Sequence, residues 1–146
     1  MEDFLLFEST VDASTVQAYR DTEYRVYGDA PFTLRVGQAS AALSAAHRRH
    51  RVDCSAYLSA CNPASHRLDD AANAQRHAAL GRELGQRSLV SLPGVGCHPS
   101  NERPGEASYL AFGLSLQAAR TLGTRLEQNA IVWIGADAVP QLILLR

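Results

Sequence analysis

Lysine is missing from this chain: every one of its 14 basic residues is an arginine. A G+C-rich coding bias accounts for this more simply than a guanidinium-specific function. It also removes the lysine that a Walker-type phosphate loop requires. Cysteine is scarce, with three residues in all. Cys54, Cys61 and Cys97 are odd in number and have no framework spacing, which excludes a disulfide scaffold and fits a reducing cytoplasm. No pair among these cysteines and His98 has the ligand spacing of a zinc site, and Cys54 and Cys61 fall on opposite faces of one strand, so no metal is expected. Long apolar runs are absent from the start of the chain. Residues 1–7 carry Glu2 and Asp3 and a short apolar run, which is neither a signal peptide nor a membrane span. Nor is there an excess of either charge. The formal net charge is −1, which argues against general nucleic-acid binding by phosphate neutralisation. A cytoplasmic protein with no membrane attachment is the expectation.

What is present is ordinary globular composition. Of 146 residues, 46% are hydrophobic and 20% charged, which leaves no room for a long disordered stretch. A chain of this length forms one domain, residues 1–146, and buries about 68–70% of its unfolded surface without staples.

The pattern of periodicities gives an element order. Residues 8–20 read as a helix, with Ser9, Thr10 or Asp12 as cap and Val16 and Tyr19 on its apolar face. Residues 23–27 and 32–36 alternate as strands across a Gly28-Asp29-Ala30-Pro31 turn. Residues 40–50 form a second helix, and 52–61 (VDCSAYLSAC) a strand. A polar turn, Asn62-Pro63-Ala64-Ser65, leads into the longest helix, 69–86. Strands follow at 88–92 and 107–114. Between them lie a Gly94/Gly96 turn and a Pro/Gly-rich loop over 97–105. A helix at 115–126 and strands at 129–134 and 142–145 close the chain. Strands interleaved with helices predict an α/β or α+β fold: a single mixed sheet covered by about four helices.

The strand-turn-helix junction at 52–86 is where a ligand would sit in such a fold. The first helical turn there points N–H groups outward. Asn62 offers both donor and acceptor, and Ser65 a rotatable hydroxyl. Pro63 stiffens the turn. Asn73, Arg76, Leu80 and Leu84 share one helix face, which places Asn73 and Arg76 at the sheet edge near the turn. Gly94 and Gly96 permit close backbone approach. Glu106 opens a strand after the long loop and is the candidate general base, or an acceptor for Arg76. Gln128 and Asn129 precede another strand. Each of these also has a plain structural reading as a turn, cap or surface residue. The basic cluster at 47–51 suits a solvated helix C-terminus. A Cys97 nucleophile beside His98 has nothing to activate its thiol.

The segment AYLSACNPASHRLDDAANAQRHAAL resembles a bacterial family known as domain of unknown function 3293. The resemblance runs over residues 19–134. It rests on the Asn-Pro motif of residues 57–65, on Asn73 and Arg76, on Gly94 and Gly96, on Glu106 and Ser108, and on Gln128. The family name implies no activity, substrate or cofactor, and the cofactor stays unknown. Recurrence as a set favours a real site.

Two readings follow. In the first, a small molecule, with a nucleotide or another anionic ligand favoured, binds at the strand ends. Arg76 pairs with the anion, Asn62, Ser65, Asn73, Gly94, Gly96, Ser108 and Gln128 line the site, and Glu106 is the catalytic base. In the second, the polar set is structural and the chain is a non-enzymatic protein-interaction domain using the loop 97–105.

Overall fold

The computed structural model describes residues 9–100 and 105–146. The expectations for residues 1–7, for position 8 of the first helix and for 101–104 of the long loop lie outside the described residues.

Four helices form where a small polar residue can accept the first free backbone N–H groups: α1 (Ala13–Asp21), α2 (Ala41–Arg49), α3 (Asp70–Gln86) and α4 (Leu116–Arg125). Their caps are Asp12, Ser40, Asp69 and Ser115, each accepting the N–H three residues on. The strands are β1 (Glu23–Val26), β2 (Phe32–Leu34), β3 (Ser55–Leu58), β4 (Ser91–Cys97), β5 (Glu106–Phe112), β6 (Ala130–Ile134) and β7 (Pro140–Leu144). The element order is the one the periodicities predict; several boundaries move.

The seven strands make one sheet in the order β2-β1-β4-β5-β3-β6-β7, and the fold is α+β. Every pairing is antiparallel, so the sheet is not mixed. The reason is the way the helices cross. The connection β3–α3–β4 skips one position, which β5 fills in the opposite direction. The connection β5–α4–β6 skips another, which β3 fills. Residues 55–134 thus build a β-α-β-β-α-β core of the split β-α-β, ferredoxin-like kind. The β1–β2 hairpin extends it on one side and β7 on the other.

Period-two alternation divides the core between the two faces. Leu80 and Leu84 of α3 and Ala119 and Leu122 of α4 pack on one face with Leu58 of β3. Val26, Leu34, Leu43, Tyr57, Leu110, Phe112 and Ile134 pack on the other face with α2.

Two strand boundaries bear on the site. The strand expected over 52–61 is regular only at Ser55–Leu58. Beyond it the chain bends, and the Ser59 hydroxyl accepts the Cys61 N–H at 3.1 Å. The Gly94/Gly96 segment is not a turn but the middle of β4, with Gly94 opposite both Val26 and Ser108. Gly94 has no side chain because Tyr57 crosses it. A Cβ there would lie 2.2 Å from the Arg25 carbonyl oxygen and 2.8 Å from the Tyr57 hydroxyl.

Candidate functional site

The alternation that builds the α2-side core continues to one end of the sheet, where its residues stop being aliphatic. On β5 the sequence Phe112, Leu110, Ser108, Glu106 runs along one face from core to rim. On β3 Tyr57 is followed by Ser59 on the same face, and on β1 Tyr24 stands beside them. Helix α1 lies over this end. Between it and the sheet is a pocket of about 410 Å³. Tyr19 comes from the helix; Tyr24, Tyr57, Ser59, Gly96, Glu106 and Ser108 come from the sheet and its margins. Asn62, Ser65, Gln128, Asn129 and His98 add to the polar part of the wall, with Ser14, Thr15, Thr22 and Ser100 at its margin.

The turn after β3 has an unusual backbone. Asn62, Ala64 and Ser65 all take left-handed conformations, with φ of 49°, 53° and 61°. Each costs a non-glycine residue roughly 1–2 kcal/mol, so the surroundings must hold the turn in place. Asn62 and Asn73 do so reciprocally. The Asn62 backbone N–H donates to Asn73 Oδ1 at 3.0 Å, and Asn73 Nδ2 donates to Asn62 Oδ1 at 2.8 Å. The Leu68 N–H donates to the same Asn62 oxygen at 3.0 Å. The Ala64 N–H donates to the Glu127 carbonyl at 2.6 Å. The Leu68 N–H, a fixed backbone donor, settles which end of the Asn62 amide is oxygen. Its Nδ2 is therefore the end that reaches Glu106.

That contact is 3.0 Å, from Asn62 Nδ2 to Glu106 Oε2. Burial pushes the Glu106 carboxyl above the usual range, against the opposing pull of the hydrogen bond from Asn62. Among the described residues no arginine or histidine forms an ion pair with it. Directly across from Glu106 on β4 stands Gly96. A Cβ at Gly96 would meet only Thr22 at 3.6 Å and Tyr24 at 3.9 Å, so the glycine leaves space that a larger side chain would fill.

Other polar groups of the wall have partners within the protein. Asn129 Nδ2 donates to the Tyr19 hydroxyl at 3.1 Å and to Ser65 Oγ at 2.9 Å, and the two hydroxyls are 2.9 Å apart. Buried Gln128 donates from Nε2 to the Cys61 carbonyl at 3.1 Å and to the Leu126 carbonyl at 3.3 Å. Its own oxygen has no hydrogen-bond partner among the described residues. The Tyr24 hydroxyl donates to the Tyr19 carbonyl at 2.6 Å, and the Tyr57 hydroxyl to the Arg25 carbonyl at 2.8 Å. Burial raises both phenol pKa values, so both rings stay neutral.

The fold thus gathers Asn62, Ser65, Gly96, Glu106, Ser108 and Gln128 around one pocket. Three expected site residues are not part of its wall. Asn73 acts through Asn62. Gly94 makes room for Tyr57. Arg76 gives its Nε to the Ala60 carbonyl and its Nη2 to the Leu126 carbonyl. It pairs with neither an anion site nor Glu106, whose partner is Asn62. Sequence reasoning places Tyr19 only on an apolar helix face and Tyr57 only at the start of the Asn-Pro motif, does not single out Tyr24, weighs Asn129 beside Gln128 as a candidate or a loop amide, and weighs His98 as a zinc ligand or partner of Cys97. The legible signal was alternation: Tyr24 with Val26 and Tyr57 with Ser59 continue an apolar face into a polar one. Among the described residues no three His, Cys, Asp or Glu side chains converge to hold a metal. No helix among them is long and apolar enough to cross a membrane.

Fold and pocket together define an α+β protein with a split β-α-β core and a polar cleft at one end of its sheet. Residues 58–131, just over half of the chain, match the family described as a protein of unknown function, DUF3293, and the chain belongs to that family. The matched span contains Asn62, Asn73, Arg76, Glu106 and Gln128. Neither the curated proteins nor the solved structures yield a match.

Proposed function

We propose that this protein binds a small polar molecule in the pocket at the sheet end, and that Glu106 is the group that engages it. One observation carries this reading. Glu106 is a half-buried carboxyl at the wall of an open cavity, held by an amide and opposed by no cation among the described residues. A carboxylate kept only to stabilise a fold is normally paired, because burying an unpaired charge is costly. Titratable groups left in such surroundings concentrate at functional sites. The strained turn at Asn62–Ser65 supports the same reading, since backbone strain persists where the surroundings over-determine it. In a reaction, Glu106 serves as general base: a carboxyl raised toward neutrality is better matched to proton transfer.

The competing reading, an interaction domain acting through loop 97–105, makes the pocket residues structural and leaves the uncompensated carboxyl without a role. The test is a fragment screen read by two-dimensional NMR on the wild type and on Gly96→Leu, which fills the cavity. Fragments that shift resonances of Ser65, Glu106 and Asn129, and that Gly96→Leu abolishes, support the pocket. Fragments that bind elsewhere, or that Gly96→Leu leaves unaffected, overturn it.

A further inference from the structure

We infer that the pocket is built for a cationic ligand bearing N–H donors, an amine or guanidine group, received by the Glu106 carboxylate and the Gln128 side-chain oxygen among tyrosine rings. This rests on the pocket reading above and adds the chemical class of the ligand.

Polar hydrogens along this wall are largely taken up by acceptors of the protein itself. Gln128 spends its N–H group on the carbonyls of Cys61 and Leu126, so the end left for a ligand is an acceptor. Asn62 gives one amide N–H to Glu106, and its oxygen accepts from Leu68 and Asn73. The Ser108 hydroxyl donates to the Glu106 carbonyl at 3.0 Å, and the Ser59 hydroxyl to the Ala107 carbonyl at 2.9 Å. The Thr22 hydroxyl donates to the Ala18 carbonyl at 2.7 Å. Tyr24 and Tyr57 aim their hydroxyls at backbone carbonyls. The hydroxyls of Thr22, Tyr24, Tyr57, Ser59 and Ser108 are thus turned toward the protein, and Tyr19, Ser65 and Asn129 bond one another, while the Glu106 carboxylate and the Gln128 oxygen have capacity to spare. An anion would meet Glu106 with no arginine from the described wall to offset it. A cation meets a carboxylate, an amide dipole and three aromatic side chains, which attract positive charge through their ring faces. Arg76, the one basic side chain the sequence placed here, is committed to the carbonyls of Ala60 and Leu126.

The experiment compares three probes of matched length and different charge: putrescine, 1,4-butanediol and succinate. Binding is followed by NMR at millimolar concentration and about pH 8, where imidazole groups are neutral. The proteins are the full chain and its Glu106→Gln, Tyr19→Phe and Tyr19→Leu variants. The expected result is that putrescine binds, that the diol binds at least about tenfold more weakly and that succinate does not bind, since a charge-assisted hydrogen bond is worth about 1.5–3 kcal/mol. Glu106→Gln removes the preference for the diamine. Tyr19→Phe retains binding and Tyr19→Leu weakens it. If the diol or succinate binds as tightly as the diamine, or Glu106→Gln leaves the diamine unaffected, the cation inference is overturned while the pocket stands. If no probe of any charge perturbs the pocket, both fail.

Discussion

The side-chain amide of Asn62 donates to the carboxylate of Glu106 at 3.0 Å, across 44 positions of sequence. The bond ties the turn after β3 to the first residue of β5. It fixes one carboxylate oxygen and leaves the group facing the pocket.

Burial raises the Glu106 pKa in the folded protein above its unfolded value, near 4.5. Between those values the folded state binds more protons than the unfolded state. The favourable contribution of the protonated acid is therefore complete below the unfolded pKa and is lost as pH rises through the folded pKa. Glu106→Gln keeps an oxygen to accept from Asn62 and removes the charge. It is expected to raise stability at about pH 8 and to change it little near pH 4, as measured by urea unfolding. Lower stability than the wild type at the higher pH would mean that burial does not dominate this group.

Asn73 supports the same contact from a distance. Asn73→Ala leaves the Asn62 N–H and one Asn62 lone pair without their partner and is expected to cost about 1–3 kcal/mol. Asn62 itself is left-handed, so Asn62→Gly is expected to be less damaging than Asn62→Ala by about 1 kcal/mol. Chemical denaturation of the three variants gives both numbers. A ranking with alanine above glycine would contradict the strained turn.

Two glycines two positions apart in β4 have opposite tolerances. At Gly94 a Cβ would sit 2.2 Å from a backbone oxygen that cannot move aside. Gly94→Ala is expected to cost at least about 1–3 kcal/mol. Gly96→Ala meets only ordinary contacts and is expected to fold normally. Melting temperatures of the pair distinguish a packing glycine from one that leaves a cavity open.

Arg76 is a structural cation on this geometry. Arg76→Met removes its hydrogen bonds to the carbonyls of Ala60 and Leu126. The expected loss is about 1.5–3 kcal/mol for each charged hydrogen bond, with overlap because both join the same edges. Probe affinity in the pocket is expected to stay within twofold, a ratio that titration calorimetry resolves. A large affinity loss at unchanged stability would return Arg76 to the site.

The histidines supply a separate acid response. His47 is buried with its Nε2 2.8 Å from Ser55 Oγ, and burial lowers its pKa more than Asp53 raises it. Burial likewise lowers the pKa of His77, which stacks on Tyr109 with ring centroids 4.2 Å apart. Both are depressed below an unfolded value near 6.5. The unfolded state takes up the extra protons, so stability is full above that value and falls as pH drops through the folded pKa. Unfolding between about pH 8 and 5 is expected to show this loss, and His47→Gln to reduce its slope. An unchanged slope would exclude His47 as a contributor.

The sequence by itself determined the elements. Four polar caps, three- and four-residue apolar spacing and strand alternation depend on neighbours a few positions apart, so the order of helices and strands is written locally. The same locality made Asn62 and Glu106 visible as candidates, since each stands at the end of an element. Only the tertiary structure decided that β5 lies between β3 and β4, which makes the sheet antiparallel and places Gly94 inside a strand. It also decided what the polar residues do. Arg76 was assigned to an anion because the sequence does not show that two carbonyls would claim its donors. Tyr19, Tyr24 and Tyr57 joined the wall because strands and a helix far apart in the chain meet at one sheet end. The physical reason is that hydrogen-bond capacity is spent between residues distant in sequence. What remains free for a ligand is known only after those partners are in place.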